Sequence, residues 1–272
     1  MPTQTEKAAT FLALHSSDTP LLMPNPWDRG SAKLLQSLGF AALATTSSGF
    51  AATLGQLDGS VTQQQAIDHA AWIAAGTDLP VSADLEDCFA ADPAGVAQTI
   101  RLALAAGLAG CSVEDFTRRA DDPIYDRAQA AERVAAAAQI AHEGPVHLVL
   151  TARAENYLHG RHDLADTIAR LQSYSEAGAD VLFAPGVVEP GELRQLVAAV
   201  DRPVNALALA NAPSVAELAE IGVRRISVGG AFAFAALGAL AQAARELLDQ
   251  GSYGYWEQTR AGGAAARAAF QA

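Results

Sequence analysis

Apolar positions along this chain alternate between two spacings. Short runs rich in Val, Leu, Ile and Ala are followed by alanine-rich stretches whose apolar residues recur three and four positions apart. The short runs predict eight strands, over residues 21–24, 41–46, 79–84, 109–114, 146–153, 180–184, 203–207 and 224–228. The longer stretches predict helices over 31–38, 63–75, 93–106, 128–141, 164–177, 190–200 and 214–221. Gly39, Gly107, Gly178 and Gly222 stand just before strands, where a left-handed residue ends the preceding helix. Eight βα units in this length predict an α/β TIM-type (β/α)8 barrel. A doubly wound sheet fits less well, because the first strand runs into Asn25-Pro26-Trp27-Asp28 without a glycine-rich phosphate turn. No linker divides the chain, so residues 1–272 read as one domain. Two further helices, 231–250 and 255–270, follow the eighth strand and are separated by a break at 251–254. That surplus exceeds what a barrel needs and points to packing on a partner subunit.

Composition narrows the function. Half of the 272 residues are hydrophobic, enough for a large core. A net charge of −12 and a pI near 4.8 argue against nucleic acid or an anionic membrane as partner. The first ten residues are polar and lack a signal-peptide core, and no 18-residue apolar segment is expected, so the chain reads as cytoplasmic. Cys88 and Cys111 make neither a disulfide framework nor a zinc pattern. Of the 18 basic residues only Lys7 and Lys33 are lysines, and both lie in early helical segments. An imine-forming lysine is needed at a strand end, so Schiff-base chemistry is not expected.

The run Val81-Ser82-Ala83-Asp84-Leu85-Glu86-Asp87 changes the picture most. It places three carboxylates at one strand tip, and the next strand ends in Glu114-Asp115. Carboxylates gathered in a cleft stay ionised together only if a cation compensates them. Hard oxygen ligands of this kind suit Mg²⁺ (or Mn²⁺). Barrel sites form at the C-terminal strand ends, which here also carry Trp27-Asp28, Thr45-Thr46-Ser47-Ser48-Gly49, Arg153 with Glu155, Pro185, Asn205 and Gly229-Gly230. Hydroxyls, backbone N–H groups and the planar fork of Arg153 suit a small anionic, metal-chelating substrate. Taken alone, the Ser/Thr/Gly turn reads as an ordinary βα loop with a helix N-cap. Of the histidines only His159 follows a strand closely enough to approach the mouth. Cys88 lacks a basic neighbour that would lower its pKa.

These motifs together resemble the isocitrate lyase/phosphoenolpyruvate mutase superfamily, over nearly the whole chain. The matching segments are Asn25-Pro26-Trp27-Asp28, Ser47-Ser48-Gly49 through Asp58-Gly59, Asp84-Leu85-Glu86, Val113-Glu114-Asp115, Ala152-Arg153, and the stretch from Ala212 to Gly229. The resemblance implies a barrel whose last helix is exchanged between subunits, in a dimer or a dimer of dimers. It implies Mg²⁺ bound directly by Asp84, with Asp58, Glu86 and Glu114 holding its waters. Thr46, Ser47, Ser48, Gly49 and Arg153 would hold a 2-oxo acid, with Trp27 and Asn205 also at the substrate.

The departures bear on the reaction. Phe116-Thr117-Arg118-Arg119-Ala120-Asp121-Asp122 follows Glu114-Asp115, where isocitrate and methylisocitrate lyases carry a Lys-Lys/Arg-Cys-Gly-His loop. Cys88-Phe89-Ala90 replaces the Gly-Tyr-Gly usual after the metal motif. The expected activity is therefore a Mg²⁺-dependent carbon–carbon lyase or decarboxylase acting on a small 2-oxo or 2-hydroxy di- or tricarboxylate, such as oxaloacetate, through an enolate. Water or Tyr157 would return the proton, while Arg153, Glu114 and Asp58 serve catalysis. The alternatives are P–C hydrolysis or mutation of phosphonopyruvate-like substrates, and a 2-oxo acid binding protein with little turnover.

Overall fold

The computed structural model describes residues 2–271; Met1 and Ala272, the ends of the expected single domain, lie outside the described residues. Eight parallel strands form one sheet: β1 (Leu21–Met23), β2 (Leu43–Ala44), β3 (Val81–Ala83), β4 (Gly110–Glu114), β5 (Val149–Arg153), β6 (Val181–Phe183), β7 (Val204–Leu207) and β8 (Arg225–Ser227). Neighbours pair in the order β1-β8-β7-β6-β5-β4-β3-β2. The seam between β1 and β2 is bridged where Ala44 N–H donates to the Pro24 carbonyl at 3.1 Å. Above it, Asn25 fastens three strand tips. Its amide donates to the Thr45 carbonyl (2.9 Å), and its Oδ1 accepts from Val228 N–H and Gly229 N–H (both 3.0 Å). The TIM-type reading of the sequence is thus the fold.

The helices are α1 (Gln4–Leu14), α2 (Arg29–Ser37), α3 (Ser47–Thr53), α4 (Gln63–Ala74), α5 (Pro93–Ala105), α6 (Arg127–His142), α7 (Leu164–Glu176), α8 (Pro190–Ala199), α9 (Val215–Ile221), α10 (Ala231–Gln250) and α11 (Trp256–Phe270). Side-chain oxygens start many of them: Asp28, Thr46, Thr62, Asp92 and Ser214 each accept from an N–H of the first turn. The glycine stops are left-handed, as at Gly178 and Gly222 (φ 104° and 100°). The main core lies between the barrel wall and its helices. A second cluster, Ala8, Phe11, Leu21, Met23, Ala42 and neighbours, closes the N-terminal end, where α1 plugs the barrel. Phe11 packs so close to Gly110 that a β-carbon there would sit 2.7 Å from its ring.

Three features differ from the sequence reading. The turn at residues 45–49 continues into a short helix, α3, because Thr46 caps it and Phe50 and Ala51 give it an inner face. Of the two C-terminal helices, α11 returns against α2 of its own chain, while α10 touches α3 through Ala233 and leaves most of its length uncovered. Ala233 is the buried residue of α10, and Phe232, Phe234, Leu237, Leu240, Leu247 and Leu248 are exposed. Finally, α10 is long and apolar enough to cross a membrane by length and composition, with a mean hydropathy of 1.3 over 18 residues, contrary to the expectation of no such segment. Its many alanines raise that mean without forming a continuous run of large apolar side chains.

Candidate active site

The strand tips converge as the barrel rule requires. A cavity of about 140 Å³ opens at the C-terminal mouth and descends into the barrel, lined among others by Thr46, Ser47, Ser48, Asp58, Asp84 and Arg153. A side pocket holds Asp58, Glu86, Glu114, Arg153, Glu155 and His159. Asp84 ends β3, and its carboxylate accepts from Ser47 N–H (3.1 Å) and from Arg153 Nη1 (3.1 Å). Its own N–H donates to Thr45 Oγ1 (2.9 Å), which fixes the tip of β3 against β2. Arg153 ends β5 and binds three carboxylates: Nη1 reaches Asp84 and Glu114 (2.8 Å), and Nε reaches Glu155 (2.8 Å). The bidentate fork expected to face a substrate is therefore already engaged, and Nη2 is the edge left to a ligand.

The electrostatics show a shortage of positive charge. Burial, reinforced by the charge of Asp84 and opposed by Arg118, pushes the Glu86 carboxyl up to about 7. Glu114 is raised well above the ordinary carboxylate range by burial, which the neighbouring Arg153 only partly offsets. Arg153 is buried too, yet the surrounding Glu114, Glu155 and Asp84 hold its proton more tightly than usual. Asp84, Glu86, Asp87, Glu114 and Glu155 meet the guanidiniums of Arg118 and Arg153, and Asp58 lines the same pocket. The hard-oxygen donor set and its excess negative charge fit a dication such as Mg²⁺.

Other predicted residues take different places. Asp58 is exposed on its loop at the rim of both cavities. Gly49 is buried in α3; a β-carbon there would sit 2.6 Å from Thr46 Cγ2 and 3.1 Å from Ala233 Cβ, so its part is close packing between α3 and α10. Trp27 stands away from the mouth cavity, beside Phe50, His69 and Trp72 in an outer groove, with its carbonyl bonded to His69 Nε2 (2.9 Å). Asn205 is buried one layer beneath, tied to Ser227 Oγ (2.9 Å) and Arg225 Nε (2.8 Å). Tyr157, the suggested proton donor, bonds instead to Glu192 (3.2 Å) and lines neither mouth pocket. His159 does reach the side pocket, stacked on Phe116 with ring centroids 4.3 Å apart. Both cysteines are fully buried, and burial pushes the Cys111 thiol up to about 12. Lys7 lies at the opposite end of the barrel, donating to the Thr77 carbonyl (2.6 Å).

Sequence reasoning missed two arginines. Arg118, from the loop after β4, binds Glu86 (2.7 Å), Asp87 (2.8 Å) and the Gly59 carbonyl (3.0 Å). Its left-handed backbone (φ 62°) aims it there, and nothing in the local pattern signals that turn. Arg225 opens β8 and lines the cavity floor; its signal was a charge at an inward position of a barrel strand.

Comparison with known proteins agrees with this geometry. The family model described as phosphoenolpyruvate phosphomutase matches residues 11–248. An uncharacterized protein of Mycobacterium tuberculosis (strain CDC 1551 / Oshkosh) is 33% identical over 241 residues, which cover 88% of this chain and 89% of that one. The structure of a lyase/mutase candidate from Burkholderia cenocepacia J2315 superposes with a TM-score of 0.91 at 50% identity, covering 93% of this chain and 92% of that one. An oxaloacetate acetylhydrolase in complex with the product oxalate gives a TM-score of 0.84 at 26% identity, covering 93% and 90%.

Proposed function

The chain belongs to the phosphoenolpyruvate phosphomutase family, within the isocitrate lyase/phosphoenolpyruvate mutase superfamily, and on that premise we propose that it is a Mg²⁺-dependent carbon–carbon lyase acting on a small 2-oxo or 2-hydroxy di- or tricarboxylate. The observation that carries this reading is the crowd of buried carboxylates at the mouth around Asp84, with Arg153 bridging three of them. Asp84, Glu86, Glu114 and Asp58 would hold the dication, which when bound supplies Lewis-acid stabilisation of charge on the 2-oxo oxygen. That the oxaloacetate acetylhydrolase cited above binds oxalate, a small dicarboxylate, supports the substrate class.

In this reading the protein's own groups position the ligand and handle its charge. Thr46, Ser47 and Ser48 present hydroxyls at the cavity rim. Arg153 turns Nη2 towards the oxygen on which charge develops as the C–C bond opens, a preorganised stabilisation. His159, rather than Tyr157, stands where a proton can return to the carbanionic carbon, because its ring borders the same pocket as Arg153 and Glu114. Burial lowers the His159 pKa below the usual histidine value, which favours the neutral ring at rest. Lys7 and Lys33 lie on α1 and α2, so covalent imine chemistry has no nucleophile at the mouth. We take the protein to be a soluble cytoplasmic enzyme in which the apolar face of α10 meets a second subunit.

The test combines metal binding with turnover. Asp84→Ala should abolish Mg²⁺ binding by calorimetry while leaving the fold intact, since a strand tip carries little packing. Oxaloacetate, isocitrate, methylisocitrate and phosphonopyruvate should be assayed with Mg²⁺ and with EDTA. Metal affinity unchanged in Asp84→Ala would refute the metal assignment. Turnover of phosphonopyruvate alone would replace the C–C reading with P–C chemistry.

A further inference from the structure

The cavity below the mouth ends on a cation that, among the described residues, no carboxylate neutralises. Arg225 is 3% exposed, at the start of β8. Its Nε donates to Asn205 Oδ1 (2.8 Å), and its Nη1 donates to Thr151 Oγ1 (3.0 Å) and approaches His15 Nε2 at 3.4 Å. All three partners are uncharged acceptors. The His15 ring is held neutral, its pKa brought down to about 4 by burial and then by the charge of Arg225 itself. Nη2 has no hydrogen-bond partner among the described residues. The fully enclosed polar side-chain atoms without partners, among those residues, are Arg133 Nε and Asn156 Oδ1. Nη2 therefore meets open space, and the open space that Arg225 lines is the cavity.

A buried guanidinium without a counter-ion is strongly disfavoured. Burial, followed by the charge of Arg153, lowers the Arg225 pKa to about 9. The surrounding wall is built to receive an anion: Ser82, Ser112, Thr151 and Ser227 bring hydroxyls to the same space. Its volume of about 140 Å³ is close to that of a cavity known to admit benzene, so a small diacid is of suitable size.

We propose that Arg225 forms a second anion subsite inside the barrel, which holds one carboxylate of a dicarboxylate ligand whose other end lies at the Asp84–Arg153 mouth. This rests on the reading of the mouth as a 2-oxo acid site and narrows it. A carboxylate held by Arg225 keeps its negative charge, and that stabilisation opposes its departure as neutral CO₂. The bond that opens is then elsewhere in the molecule, and the carboxylate at Arg225 leaves with its fragment intact. Cleavage between two carbon fragments is favoured over decarboxylation at that carboxyl group.

The experiment uses the full chain and needs no turnover. Succinate binding is measured by calorimetry, without metal, to the wild type and to Arg225→Met, Arg225→Lys and Asp84→Ala. Arg225→Met should weaken succinate by about tenfold or more, and Arg225→Lys should lie between it and the wild type. Asp84→Ala should still bind succinate. Arg225→Met should melt no lower than the wild type in the absence of ligand, because it removes an uncompensated buried charge. If Arg225→Met does not fold, Arg225→Lys alone carries the test. Equal succinate affinity in the wild type and each folded Arg225 variant overturns the subsite, whatever the enzyme turns over. Chloride that displaces succinate at comparable concentration, at constant ionic strength, overturns the dicarboxylate assignment in favour of a free inorganic anion. Conversely, no turnover of any 2-oxo acid with Arg225-dependent succinate binding leaves the subsite standing and removes only the reading of the mouth.

Discussion

Single side chains at this barrel work by sharing charge. Arg153 satisfies Asp84, Glu114 and Glu155 at once, from two edges of a planar group. A lysine offers one compact ammonium and cannot reach three carboxylates in that geometry. Arg153→Lys is therefore expected to lower kcat/KM by about 2–5 kcal/mol, the range for breaking a buried charge pair. Steady-state kinetics near wild type would exclude the role. His15 gives a pH signature at the other end. Its folded pKa of about 4 lies below its value of roughly 6.5 in an unfolded chain. The unfolded state binds more protons between those values, so this stability is fully present above about pH 6.5 and is lost as pH falls towards 4. At pH 5 the loss relative to pH 7 is on the order of 2 kcal/mol. Urea denaturation of His15→Gln should show a flatter slope over this window, and an unchanged slope would remove His15 from the account.

At the scale of elements, the loop between β3 and α5 carries the strain. Glu86, Cys88 and Phe89 hold φ at 51°, 60° and 55°, a region that ordinary side chains avoid. The resemblance places glycines around this loop, where this chain carries Cys88-Phe89-Ala90. The structure pins the loop from outside. Arg133 of α6 donates to the carbonyls of Asp87 (2.6 Å), Ala91 (3.0 Å) and Ala90, and Thr99 of α5 donates to the Cys88 carbonyl (2.6 Å). Arg133→Met removes the clamp and keeps the aliphatic volume over Tyr125. It should cost about 2–4 kcal/mol, since several charged hydrogen bonds are lost and carbonyls are left bare. Hydrogen exchange across residues 85–91 should quicken at the same time. Loss of stability without faster exchange in that loop would place the role of Arg133 elsewhere.

For the whole molecule, the exposed face of α10 is the outstanding feature. Leu240 and Leu248 are 65% and 82% exposed on a helix that its own barrel does not cover. The expected exchange concerns the last helix, residues 255–270; within one chain that helix, α11, packs on α2, and α10 carries the larger uncovered apolar face for a neighbour. The double change Leu240→Glu, Leu248→Glu should reduce the oligomer to monomers in sedimentation, and the wild type should melt at a temperature that rises with concentration. A wild-type chain that sediments as a monomer at micromolar concentration would refute the assembly.

The barrel, its eight strands and the gathering of carboxylates at one mouth are legible in the order of the amino acids alone. Period-two and period-3.6 patterns are local, and a strand tip in a βα repeat always points to the same face. Asp84, Glu86, Glu114 and Arg153 were legible for that reason, as charges placed where apolar strands stop. The remaining features depend on contacts between distant segments. Arg118 meets Glu86 across 32 residues through one left-handed turn, Tyr157 swings to Glu192 while His159 turns to the pocket, and Trp27 faces outward. The unneutralised charge of Arg225 belongs to this second kind. Its isolation is a property of β5, β7 and the end of α1 packed around one guanidinium, and no window of the chain contains them together.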